Sequence, residues 1–459
     1  MNDAWISLLL IAVMGASAWG IGVLLLRRLG VETPARIGFP IVIGVALWCF
    51  LGGFLNLFHL ALPITQGLLL LLGLVAAVFE CARLVRQPAA SPKSEKERRA
   101  SMLLVAGYFV LLLLLSVFQM PSLIVNIGDD FVMYLVRVVR MGATGSVSTD
   151  LFDGIGQDSL GAQTFLQGFI AMALPLPYVS GLEHVFSLML SFLLVREFGV
   201  VLQVDRTWTI AASCLLLLIH PQAVNVTSVY STTAMALGLA LALTATTEGK
   251  RSQVILPGIL LGALVTLKTI GGFQAAFFGL ILAGLRFRRA QVSGWLREHL
   301  GIAGVSVAVV LPWMIAARDR YRIMFEPVDQ VAVYRPPSGV PETSSFFDFI
   351  GVDGLLYGGS LLSFDLAVLL LLLFTLLWTL GIRRTESALL LPIAATVMAT
   401  VATFTLNNSL FNAHTAIRYS VPLILAAAPL AVLGAGVWLA RRQRSAAWSV
   451  TGLAALVGI

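Results

Sequence analysis

Apolar runs of 18 or more residues recur along the whole chain. A run of that length with few charges is the signature of a helix that crosses a bilayer. Inside a membrane only helices and closed barrels satisfy their own backbone groups. A barrel strand alternates polar and apolar residues, and these runs do not alternate. The chain therefore reads as an all-α polytopic membrane protein. Composition agrees: 58% of residues are hydrophobic and 12% are charged, against about 25% charged in soluble domains.

Requiring ~20 residues per crossing gives about fourteen transmembrane helices. They are expected at 5–26, 37–58, 62–81, 102–119, 179–197, 207–223, 229–247, 254–270, 272–287, 300–317, 360–382, 387–406, 418–440 and 447–459. The last apolar run is still open at Ile459, which reads as a truncation. The first run starts at Trp5 without a basic stretch before it, so it fits a cleaved signal peptide poorly.

The net charge of +7 comes from clusters at the ends of these runs. Arg27-Arg28, the group from Lys93 to Arg99, Lys250-Arg251, Arg286 to Arg289, Arg383-Arg384 and Arg441 to Arg444 all fall on one side if the spans alternate. Basic loops stay cytoplasmic. The N-terminus and the large loops 120–178 and 318–359 then lie outside, as does 407–417. Residues 82–101 are rich in Pro, Ser, Lys, Glu and Arg and have no apolar period, so they read as a solvated cytoplasmic linker. The linker divides the chain into three leading helices, 1–81, and a core, 102–459. No G-x-G-x-x-G after a strand and no P-loop is present, so a nucleotide site of the usual kind is not expected. Cys49, Cys81 and Cys214 fall in or beside apolar runs without a C-x-x-C pair, so neither a disulfide framework nor a metal site is expected of them.

The stretch that carries paired carboxylates, an amphipathic helix and a polar, Gly-rich second half is Asn126 to Gly168, in the first outer loop. Asp129 and Asp130 precede a helical pattern in which Phe131, Tyr134, Leu135, Val138 and Met141 form one stripe, with Arg137 and Arg140 off it. Such a helix suits the membrane interface, and Gly142 and Gly145 are expected to end it. An Asp at this place is commonly an N-cap. A surface carboxylate can also serve as a general base, and the two residues could divide these roles. Asp150, Asp153, Asp158, Gln163 and Gln167 follow. The run Leu160–Leu174 is too short to span and reads as a second interfacial or partly re-entrant helix, ended by Pro175 and Pro177.

Lys268 is the outlier among the apolar runs, in V-T-L-K-T-I-G-G. A mid-membrane Lys costs roughly 2.5–3.5 kcal/mol and belongs beside a cavity or an anion. The alternative is snorkelling to the interface, eased by a turn at Gly271-Gly272. His414 and Arg418 are one helical turn apart at the outer start of a late span. An Arg there can clamp a phosphate or anchor the helix at the interface beside Tyr419. Glu183 and His220 stand near outer span ends and carry no assignment. Arg318, Arg320 and Arg322 open the second outer loop; they suit an anionic glycan or a plain solvated surface.

Four of these stretches, in this order and sidedness, resemble the GT-C superfamily of polyprenyl-phosphate-sugar-dependent membrane glycosyltransferases. They are G-D-D-F-V-M-Y-L-V-R-V-V-R-M-G at 128–142, S-L-G-A-Q-T-F-L-Q-G-F from Ser159, L-P-W-M-I-A-A-R-D-R-Y-R-I-M-F-E-P at 311–327, and R-Y-S-V-P-L at 418–423. Lys268 also falls where many members carry a Lys. The resemblance covers 102–440. Two departures are visible: Met324-Phe325-Glu326 replace the family's G-N-P, and Ser228–Ala234 lacks the acid many members carry there.

The resemblance implies a GT-C-like catalytic core in a bacterial inner membrane. It implies an inverting transfer on the periplasmic face, from a polyprenyl-phosphate sugar to a glycan, lipid or protein acceptor. Asp129 or Asp130 would act as the base. Lys268, Arg418 and His414 would hold the donor phosphate, and Tyr134, Gln163, Arg318 and Arg320 would contact donor or acceptor. No cofactor is implied with certainty, a divalent cation stays open, and nucleic acid is not expected as a partner. Rival readings are a lipid-glycan flippase, which would carry repeats and broken helices, an O-antigen polymerase or ligase relying on outer-loop Arg and His, and a non-catalytic membrane scaffold.

Overall fold

The computed structural model describes residues 2–31, 37–86, 107, 110, 134–147, 160–217, 228–245, 251–268, 270–287, 292–317, 391–410 and 413–441. Every regular element among them is helical. Three helices lead: α1 (Asn2–Arg28), α2 (Gly38–Leu57) and α3 (Pro63–Arg86). Two short helices follow, α4 (Leu135–Thr144) and α5 (Ala162–Ala171). A 3₁₀ turn at Leu176–Ser180 and a π turn at Leu182–Ser187 run into α6 (Leu188–Val201). Then come α7 (Arg206–Cys214), α8 (Tyr230–Ala245), α9 (Ser252–Leu267), α10 (Ile270–Phe287), α11 (Val292–Ala316), α12 (Leu391–Leu410) and α13 (Ala413–Arg441).

Six described stretches are long and apolar enough to cross a membrane: Trp5–Arg28, Gly38–Leu57, Pro63–Arg83, Leu176–Val201, Val292–Ala316 and Ser420–Val437. Five more apolar helices are shorter, between 10 and 17 residues. The expected span at 207–223 is among these. Its α-helix stops at Cys214 and tightens to a 3₁₀ turn at Leu215–Leu217, and residues 218–223 lie outside the described residues. The spans expected at 360–382 and 447–459, and all of 102–119 but residues 107 and 110, lie outside the described residues.

Small residues set how closely the helices pack, as they do where lipid rather than water surrounds a bundle. Gly258 and Gly262 on α9 face Val305 and Val309 on α11, and Gly301 on α11 faces Val254 on α9. The pairs advance in the same direction, so α9 and α11 run parallel. A Cβ at Gly258 would lie 2.6 Å from the Cβ of Val305. The same device brings α2 against α1, where Gly44 faces the Ala18 carbonyl. Helix α2 then continues into the bundle, with Phe39, Trp48 and Cys49 fully buried. The three leading helices thus share one hydrophobic core with the helices that follow.

The bundle has two chemically distinct ends. At one, Arg27, Arg28, Arg83 and Arg86 occupy the last turns of the parallel helices α1 and α3. Glu80 pairs with Arg27, and with Arg83 at 3.6 Å. Here Glu197 on α6 also closes the start of α2: its carboxylate accepts the backbone N–H of Ile37 at 2.6 Å, Gly38 at 2.7 Å and Phe39 at 2.9 Å. Those are orphan donors of a helix N-terminus.

At the opposite, distal end sit α4 and α5. Gly145, at φ 74°, ends α4 in the left-handed conformation that glycine favours. Gly142 lies inside the helix, so the expected stop there is not made. The chain after α4 is pinned to the α2–α3 loop: Ala61 donates to the Gly145 carbonyl at 2.9 Å, and Asn56 Oδ1 accepts from Val147 N–H at 2.7 Å. Leu135, Val138 and Met141 are buried as the stripe predicts, but Arg137 is buried with them, while Val136 and Val139 are exposed. Helix α5 is buried over Ala162–Ile170. It is enclosed in protein rather than laid on the surface, with Phe165 and Phe169 against Trp48 and Trp313. Trp313 fixes the end of α11 to α2 through a 2.8 Å bond to the Cys49 carbonyl.

Candidate functional site

The first turn of α8 is where the distal end converges. The chain there reads S-V-Y-S-T-T-A, Ser228–Ala234. Its side chains are short hydroxyls plus one Tyr, the residues that readily bond neighbouring backbone. Four of them reach other elements, while Thr232 Oγ1 bonds the Ser228 carbonyl of the same turn. Ser228 Oγ donates to the Leu267 carbonyl at the end of α9, at 3.0 Å. The Tyr230 hydroxyl donates to the Leu216 carbonyl after α7, at 3.2 Å. Thr233 Oγ1 donates to the Pro422 carbonyl of α13 at 2.8 Å. Ser231 Oγ lies 3.2 Å from Ser187 Oγ on the π turn.

Glu183 anchors this turn. It sits on the π turn, fully buried. One carboxylate oxygen accepts the backbone N–H groups of Tyr230 at 2.6 Å and Ser231 at 3.2 Å. The other accepts Gln163 Nε2 at 2.7 Å and, closely, the Ser231 hydroxyl. Both oxygens are therefore satisfied, and the charge faces the positive end of the α8 dipole. The wider π turn carries Glu183 and Ser187 to the same Ser231, a local irregularity of the kind often found at functional sites. Ser228–Ala234 has no acid of its own; Glu183 supplies one from another helix.

Lys268 follows directly on the carbonyl that Ser228 binds. Its backbone is extended, at φ −150° and ψ 131°, between α9 and α10. Its side chain is 2% exposed. The Gly271-Gly272 pair does not form the turn expected to let Lys268 snorkel. Both glycines lie in the first turn of α10, where Gly271 donates to the Lys268 carbonyl at 2.8 Å. Lys268 is therefore buried at the end of α9 and held within the protein.

The remaining sequence candidates divide into three groups. Gln163 is brought to the site, but it holds Glu183 and is buried, and its Oε1 has no hydrogen-bond partner among the described residues. His414 and Arg418 lie in the first turns of α13, with Arg418 one turn before the Pro422 carbonyl that Thr233 binds. Both positions therefore belong to the distal end. Tyr134 starts α4 at the same end and is half-buried. Asp129, Asp130, Arg318, Arg320 and His220 lie outside the described residues.

Glu183 is the residue that sequence reasoning passed over. The available signal was a charged residue inside an otherwise apolar run, which in a membrane protein defaults to a functional hypothesis. What hid its role is that two of its partners are backbone N–H groups, invisible in side-chain patterns. Among the described residues no three His, Cys, Asp or Glu side chains form a group that could hold a metal ion. No protein-family model matches the chain, and no curated protein matches it.

Proposed function

We propose that this protein is a polytopic membrane glycosyltransferase that moves a sugar from a polyprenyl-phosphate donor to a glycan, lipid or protein acceptor at the distal end of the bundle. The observation that carries the reading is Lys268, a cation 2% exposed at the rim of an apolar helix. It stands beside a turn that Glu183, Ser228 and Thr233 tie to three other helices. A rigidly framed cation at that depth is suited to an anionic headgroup whose tail stays in lipid. About fourteen spans, a bacterial inner membrane and a periplasmic distal face complete the proposal. The basic residues at the opposite end support that orientation.

The chemistry follows from these assignments. Asp129 or Asp130 takes the proton of an acceptor hydroxyl. The oxygen attacks the anomeric carbon from the face opposite the phosphate, so configuration inverts. The bond from that carbon to the phosphate oxygen breaks, and polyprenyl phosphate leaves with the electron pair. Lys268 and Arg418 stabilise the charge that grows on the leaving oxygen.

The test is transfer of radiolabelled sugar from a panel of polyprenyl-phosphate donors to endogenous acceptors. Membranes would carry wild type, Asp129→Asn or Asp130→Asn at equal expression. Loss of transfer in one variant supports the reading and identifies the base. Unchanged transfer in both removes the base assignment. Absence of transfer with every donor overturns the enzyme reading in favour of a flippase or a scaffold.

A further inference from the structure

On the face of the π turn away from Glu183, the bundle holds a cavity of about 160 Å³ between α1, α2 and α6. None of its lining side chains carries nitrogen or oxygen; Leu8, Ala12 and Gly15 form one wall, and Val185, Phe186 and Met189 the other. Ala12 is exposed and Leu8, Gly15 and Met189 are half-buried, so the mouth opens sideways between α1 and α6. Among the described residues a Cβ at Gly15 would meet only Phe186, at 3.8 Å. The space is therefore left by small residues and not closed by a neighbouring backbone.

Two observations decide what fills it. The first is depth. Trp5 is 55% exposed one turn before Leu8, the place and residue type that mark a membrane–water interface. At about 1.5 Å per residue, Leu8 to Gly15 lie roughly 5 to 15 Å below it, within a hydrocarbon layer about 30 Å thick. The second is chemistry. An apolar cavity gives water no partners and does not hold it, while an empty one destabilises the surrounding helices in proportion to its volume. At that depth, with a lateral mouth, hydrocarbon is the medium that meets the opening.

We infer that this cavity seats the hydrocarbon chain of a bilayer lipid from the leaflet at the distal end. The inference rests on the apolar lining and the depth of the cavity and does not depend on the glycosyltransferase reading. The seat lies against Val185 and Phe186 of the π turn that also carries Glu183. A chain seated there packs against the element that holds the start of α8.

The experiment uses the full chain in lipid nanodiscs containing phosphatidylglycerol with a diazirine at the middle of one acyl chain. Photolysis is followed by mass mapping of the adducts. Wild type is expected to carry adducts on the lining residues Leu8, Ile11, Ala12 and Gly15 and on Val185, Phe186 and Met189. Gly15→Leu and Ala12→Leu are expected to lower them roughly tenfold, while adducts on the exposed Leu9 and Leu72 stay constant. Phe186→Ala widens the seat and is expected to raise the adducts, which guards against loss of folding as the cause of a decrease. Equal labelling in all four proteins overturns the inference. So does wild-type labelling confined to Leu9 and Leu72, or a disulfide between cysteines placed at Ala12 and Val110, which would show that another segment of the chain covers the mouth.

Discussion

Glu183 accepts the backbone N–H of Tyr230 at 2.6 Å across 47 residues of sequence, so a carboxylate on one helix closes the N-terminus of another. Donors face both of its oxygens. An amide at this position would turn an NH₂ toward one set of donors. Glu183→Gln is therefore expected to behave much like Glu183→Ala. Each should cost about 2–4 kcal/mol, because a buried donor left without an acceptor costs about 1–3 kcal/mol. Thermal unfolding in detergent checks this, with both variants falling together and Ser187→Ala falling less.

Lys268 bears on both fold and function. Lys268 is buried and has a partner in the fold, and removing one member of a buried pair is destabilising. Removing a preorganised group that stabilises a leaving oxyanion costs roughly 10²–10³ in rate. Lys268→Met should then lose sugar transfer by that factor per folded molecule, with the folded fraction read from thermal unfolding. Unchanged transfer per folded molecule would make Lys268 a structural residue instead.

Glu197 gathers three amides at the start of α2. Glu197→Ala should cost about 2 kcal/mol, the upper range for loss of a helix cap. Its mark is local: faster hydrogen exchange at Ile37, Gly38 and Phe39, read by mass spectrometry, with the amides of α9 unchanged. Cys49, buried farther along α2, should stay inert to maleimide, whereas the exposed Cys81 and Cys214 react.

Gly258 and Gly262 let α9 and α11 touch. Leucine at Gly258 meets Val305 within 2.6 Å of its Cβ and cannot be seated without moving a helix. Gly258→Leu should lower the yield of monodisperse protein severalfold on size exclusion, since overpacking costs about 1–3 kcal/mol or more. Gly279→Leu, where a Cβ meets nothing within 4 Å, is the matched control and should leave the yield unchanged.

Hydropathy picked out the six long apolar helices among the described residues, because burial in lipid needs no partner. Helix α2, expected at 37–58, runs Gly38–Leu57. It failed where a helix outgrows the apolar run. Helix α11 begins at Val292 rather than 300, since Trp295, Glu298 and His299 continue the helix on its polar side. The stripe of Leu135, Val138 and Met141 named a buried face correctly, yet Arg137 is buried beside it. Periodicity assigns a face by polarity, and Arg137 does not follow polarity. At the site, Lys268 stood out because charge in an apolar run is rare. Glu183 was equally rare and was missed, because its meaning depends on Tyr230 and Ser231, which the fold alone brings to it.

The Glu197 cap also carries a timetable. Its acceptor is made about 160 residues after the amide of Ile37. At ribosomal speeds of about 5–20 residues per second, the start of α2 waits roughly 8 to 32 s for its partner. Through that interval the first hairpin of helices must sit in the bilayer with its turn unclosed, held by water at the basic end or by the insertion machinery. The leading helices enter first and wait for α6 before their turn is closed. A codon change that slows the ribosome before Glu197 would lengthen that exposure without altering one residue of the finished protein.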